Sequence, residues 1–106
     1  MILPAIEPRY RSVMLWGAGV RKGNAQWRPE ASPINFAPLI RPPKLIVQGR
    51  YDETTPLRTE AEPLFRLLRE PKRLRLFEGG HRPDFEFLIP AMNTWLDETL
   101  GPVRRN

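Results

Sequence analysis

Apolar residues along the 106-residue chain fall into short continuous runs and longer stretches with helical spacing. Leu45-Ile46-Val47 is continuous and partly β-branched, bounded by Pro42-Pro43 before and Gly49 after. That is the pattern of a strand buried on both pleat faces. Arg11-Ser12-Val13-Met14-Leu15-Trp16, stopped by Gly17-Ala18-Gly19, predicts an earlier strand. Arg73-Leu74-Arg75-Leu76-Phe77-Glu78, where leucine alternates with arginine, predicts a later one. Behind Thr55-Pro56, the residues Leu57, Ala61, Leu64, Phe65 and Leu68 define the buried face of a helix, with Pro63 expected to kink or divide it. Leu88, Met92, Trp95, Leu96 and Leu100 form the stripe of a last helix, with Pro90 expected in its first turn and Gly101-Pro102 as its stop.

The segments between are punctuated by proline. Ile2 to Glu7 reads as the tail of a helix. Gly23 to Pro43 reads as a long loop, functional or containing a short helix near Asn35 to Leu39. The order strand, loop, strand, helix, strand, helix predicts an α/β fold: a three-stranded parallel sheet with flanking helices and right-handed crossovers. Residues 1–106 are read as a single partial domain.

Composition narrows the function. The net charge of +5 raises nucleic acid as a partner, but basic residues are spread along the chain and alternate with acids. Arginine outnumbers lysine 14 to 3 without forming a stripe or a stacking platform, so no nucleic-acid partner is expected. There is no cysteine and one histidine, which removes disulfides and thiolate sites and leaves zinc dependent on carboxylates. No metal and no cofactor are expected. Pro4 and Glu7 interrupt any signal-peptide core, and no apolar run approaches the roughly 20 residues of a membrane span. A soluble, cytoplasmic chain with no membrane partner is the expectation. Trp16 and Trp95 are expected to pack, whereas Trp27, in the long loop, is a candidate for lining a substrate pocket.

Two titratable residues each follow a predicted strand by a few positions: Asp52 after Gly49, and His81, the single histidine, after Gly79-Gly80. If the strands are parallel neighbours, both side chains reach one sheet edge, where ligands collect in open parallel sheets. A carboxylate beside an imidazole fixes the ring's tautomer and stabilises its protonated form, as a general base requires. The alternative stays open that Asp52 caps the turn near Thr55 and His81 is an ordinary loop histidine. Arg50, next to the acid, is either a ligand for a substrate carboxylate or a solvated strand-end cation.

The stretch Pro43-Lys44-Leu45-Ile46-Val47-Gln48-Gly49-Arg50-Tyr51-Asp52 with Pro56, followed by Phe77-Glu78-Gly79-Gly80-His81, resembles the C-terminal half of an α/β-hydrolase. The likeness is to the dienelactone-hydrolase and prolyl-oligopeptidase-like branch, and it covers nearly the whole chain. It implies that Asp52 and His81 match the acid and base of a Ser–Asp–His triad, in an enzyme cleaving small-molecule esters or peptides. The chain departs from that pattern in its serines. Only Ser12 and Ser32 occur, and neither lies in a Gly-x-Ser-x-Gly elbow. The expectation is a C-terminal segment without its nucleophile, inactive alone, that partners either an upstream hydrolase segment or itself. The competing expectation is a non-catalytic truncated remnant or interaction protein.

Overall fold

The computed structural model describes residues 1–20 and 28–103. A single helical turn, α1 (Leu3–Ile6), precedes the first strand, β1 (Val13–Trp16). Next come a 3₁₀ turn (Pro29–Ala31), α2 (Pro33–Phe36) and a second 3₁₀ turn (Ala37–Leu39). The short helix expected near Asn35 to Leu39 is therefore two consecutive turns, with Pro33 and Pro38 in their opening positions. The chain continues through β2 (Lys44–Gly49), a π-helical turn (Leu57–Ala61), α3 (Glu62–Leu67), β3 (Lys72–Phe77) and α4 (Phe85–Leu100).

The three strands form one parallel sheet in the order β1-β2-β3. Leu15 stands opposite Ile46, and Ile46 opposite Leu74. The ladder starts at Val13 rather than Arg11 because its partner Lys44 follows Pro42-Pro43, which carry no N–H to extend the pairing. Every residue of β2 is buried, as its unbroken apolar centre requires.

Side chains alternate across the sheet. Val13, Ile46 and Leu74 pack with Ile40, Leu64 and Leu68 from the turns after β1 and from α3. Met14, Leu45, Val47 and Phe77 pack on the other side with Phe87 and Trp95 of α4. Burying one such side chain contributes roughly 1.5–3 kcal/mol. An exposed ion pair such as Arg73–Glu98 contributes less than about 1 kcal/mol. Burial on both faces, more than charge, holds the helices to the sheet.

Pro63 divides its helix as expected. The Ala61 amide reaches the Pro56 carbonyl at 3.2 Å and the Glu62 amide the Leu57 carbonyl, the five-residue spacing of a π turn. Regular α-helix begins at Glu62, so Pro63 sits where a donor is not needed. Two expectations are corrected. Pro90 lies inside α4, because the helix starts at Phe85, earlier than its apolar stripe suggests. Trp16 is 51% exposed instead of packed, since it ends the outermost strand. Among the described residues no helix is long and apolar enough to cross a membrane.

Candidate active site

Parallel strands finish at a common edge, and the loops after β1, β2 and β3 meet there. The loop after β3 crosses directly over Gly49, where an added Cβ would collide with the carbonyl oxygens of Gly79 and Gly80. Two backbone bonds fix that approach: the Arg50 amide donates to the Phe77 carbonyl and the Tyr51 amide to the Gly79 carbonyl, both at 3.0 Å. The turns carrying Asp52 and His81 are thereby stitched together.

Asp52 is buried, and its two oxygens face different partners. Oδ1 accepts the amides of Thr54 and Thr55, each at 2.8 Å, while Oδ2 stands 2.9 Å from Nδ1 of His81. The two readings that the sequence left open therefore coexist in one carboxylate. Burial raises the Asp52 carboxyl, but the Thr55 amide, His81 and the Thr54 amide outweigh it and hold the group below its ordinary value. In the tautomer that donates to this carboxylate, the proton sits on Nδ1, and Nε2 is turned away from Asp52.

The imidazole lies on the backbone of Gly17, which follows β1 with a φ of 60°. A Cβ there would stand 2.6 Å from the ring's Cε1 and 3.0 Å from Nε2, so both the left-handed backbone and the ring demand glycine. The Thr55 hydroxyl donates to the Gly17 carbonyl at 3.2 Å, joining the loop after β1 to the turn after β2. The His81 side chain is 39% exposed and that of Asp52 only 1%. The ring is open to solvent, and the carboxylate behind it is shut in.

The other candidates stand differently. Arg50 is half exposed and forms an ion pair with Glu78. Trp27 lies outside the described residues. Ser12 precedes β1 at the opposite end of the sheet, where its Oγ accepts the Thr99 hydroxyl at 3.0 Å. At ~3.3 Å per strand residue, the five steps from Ser12 to Gly17 span roughly 16 Å. Ser32 is buried beside a cavity of about 260 Å³ that Gly17, Thr55 and Glu60 also line, and its Oγ has no hydrogen-bond partner among the described residues. Among the described residues, no group of three or more His, Asp or Glu side chains is placed to hold a metal ion.

Sequence reasoning singled out Asp52 and His81 but not Gly17, Thr55 or Gln48, which support them. Thr55 had a local signal, the Asp-x-x-Thr spacing that lets a carboxylate cap its own turn. Gln48 had another, a polar residue inside an otherwise buried strand.

No protein-family model matches the chain, and no curated protein matches it. Solved structures do. A cold-adapted esterase from an Arctic intertidal metagenomic library, in its zinc-bound structure, aligns over 92% of this chain with a TM-score of 0.73 and 21% identity. Its native structure aligns over the same share with a TM-score of 0.70 and 23% identity. A serine-to-alanine mutant of puromycin hydrolase, complexed with PGG, aligns over 76% of this chain with a TM-score of 0.56 and 22% identity. The chain spans 42% of the esterase and 14% of the puromycin hydrolase. The likeness is one of fold: a three-stranded parallel sheet with flanking helices, as in the C-terminal part of an α/β-hydrolase.

Proposed function

We propose that this chain provides the acid and base of a serine-hydrolase site that cleaves esters, or amides of peptide type, with the nucleophile supplied by a segment outside residues 1–106. One observation carries the reading: Asp52 Oδ2 lies 2.9 Å from His81 Nδ1 while the ring's other side rests on the end of β1. In the reaction, Nε2 of His81 takes the proton of a serine hydroxyl as its oxygen bonds the substrate's acyl carbon. The same proton then passes to the leaving alcohol or amine as the acyl bond breaks, and water repeats the sequence to free the acid. Asp52 holds the tautomer and balances the imidazolium charge. The names of the fold neighbours, an esterase and a hydrolase, agree with this chemistry.

The side from which the serine arrives follows from the edges of the sheet. β3 carries Lys72, Arg73 and Arg75, charges that discourage further pairing. β1 is Val-Met-Leu-Trp, without a charge, and His81 lies over its end at Gly17. A strand added beside β1 would deliver a residue from its C-terminal turn to Nε2.

Two measurements test the proposal. The 106-residue chain alone should not react with a fluorophosphonate probe, since Ser12 lies at the opposite end of the sheet and the buried Ser32 hydroxyl makes no hydrogen bond to His81. Stoichiometric labelling of either serine would overturn the reading. Fused behind the nucleophile-bearing part of the fold-neighbour esterase, residues 1–106 should give a folded chimera that hydrolyses p-nitrophenyl esters. His81→Ala should lower kcat by several orders of magnitude, with roughly 10⁴-fold expected for an altered acid. A folded, active chimera indifferent to His81→Ala removes the assignment.

A further inference from the structure

Gln48 stands on the same face of β2 as Lys44 and Ile46, and it is completely buried. Its Nε2 donates to the Thr55 carbonyl at 2.8 Å and to the Gly49 carbonyl at 3.1 Å. Both partners are acceptors, so the orientation of the amide is fixed by them. Its Oε1 has no hydrogen-bond partner among the described residues. A buried amide with one orphaned oxygen is a poor choice for stability alone, because an apolar side chain of that volume would avoid the desolvation cost.

What Gln48 gains is control of one turn. Gly49 and Thr55 bracket the residues that carry Asp52, and Nε2 clamps their carbonyls from beneath the sheet edge. Thr55 then acts in two directions, its amide on Asp52 Oδ1 and its hydroxyl on the carbonyl of Gly17, on which the His81 ring lies. Gln48 touches neither the carboxylate nor the ring in any hydrogen bond of the described residues, yet it holds the piece that places both.

We infer that Gln48 is a positioning residue for the Asp52–His81 pair, acting through Thr55. The inference rests on the acid–base reading above. Lys44 supplies the control: it too is a fully buried polar residue of β2, with Nζ donating to the Arg69 carbonyl at 2.7 Å, but at the other end of the strand. With one histidine in the chain, selective ¹⁵N labelling reports a single ring. The wild type should show a downfield Nδ1–H signal protected from exchange. Gln48→Met should lose that signal and expose the Nδ1 proton to solvent. Lys44→Met should keep it, even where its melting temperature falls as far. Retention of the signal in folded Gln48→Met overturns the inference. Absence of the signal in the wild type overturns the acid–base reading instead. If Gln48→Met gives no dispersed spectrum, Gln48→Glu is read with the same expectation. Failure of both to fold, while Lys44→Met folds, would make Gln48 a residue of the fold and end the proposal.

Discussion

At Asp52 one carboxylate serves the turn through Oδ1 and the imidazole through Oδ2, and the two roles are linked by protonation. Burial raises this carboxyl, the Thr55 amide, His81 and the Thr54 amide lower it, and the net direction is down from the ordinary value of 3.8. A group depressed in the folded state stabilises the fold above its unfolded value and loses that contribution as pH falls through the folded value. Asp52→Ala should therefore lower stability at neutral pH by about 1–3 kcal/mol, the cost of stranding the buried Thr55 amide. The gap between wild type and variant should shrink on acidification below the ordinary carboxylate value. Urea midpoints across a pH series measure it, and a gap that stays constant into strong acid would sever the link. Asp52 was visible in the sequence because it follows a buried strand and a glycine. Its second role depended on a ring 29 residues away.

The secondary-structure elements show where local pattern suffices and where it does not. The β2 run and the helix divided at Pro63 formed as their residues indicate, because apolar spacing and a missing donor are local properties. The start of α4 was less legible. Phe85 and Glu86 extend the helix ahead of its stripe, which moves Pro90 from the opening turn to the interior. There its ring displaces the bond that its own N–H would have made to the Glu86 carbonyl. Pro90 is exposed, so Pro90→Ala removes that conflict without opening a cavity. The variant should be more stable by roughly 1–3 kcal/mol, below the full interior penalty because the site is near the helix start. Calorimetry checks this; an unchanged or lower melting temperature would show that proline at this position costs the helix nothing.

On the scale of the molecule, the two edges of the sheet are unlike. Lysine and arginines guard β3, while β1, the outer strand on the other side among the described residues, ends in a half-exposed Trp16. On the same side of the sheet as Trp16, α4 leaves Phe85, Ile89, Leu96 and Leu100 in solvent, beside its buried Leu88, Ala91 and Trp95. Uncharged, unpaired edges invite pairing with another chain. The isolated 106-residue chain should associate with a second copy of itself, with concentration-dependent mass in sedimentation velocity or light scattering. Trp16→Lys, which places a charge at that edge in place of a half-exposed indole, should shift the population toward monomer. A wild type that stays monomeric at high concentration would count against the edge as an open surface.

The sequence by itself determined the strands, the parallel order, and which two titratable residues follow glycine-ended strands, since apolar runs, helical spacing and glycine breaks act over a few residues. It also excluded an internal nucleophile elbow, because that motif is local too. Tertiary structure alone decided three things. It set the register that makes Gly49 and Phe77 neighbours, so that the Asp52 and His81 turns cross. It laid the imidazole on Gly17, so that the free ring nitrogen lies at the end of β1. It turned Gln48 and Thr55 from a polar interruption and a turn residue into the supports of the pair. Each of these depends on groups brought together from distant parts of the chain, and a hydrogen bond of about 3 Å has no counterpart in a pattern of sequence neighbours.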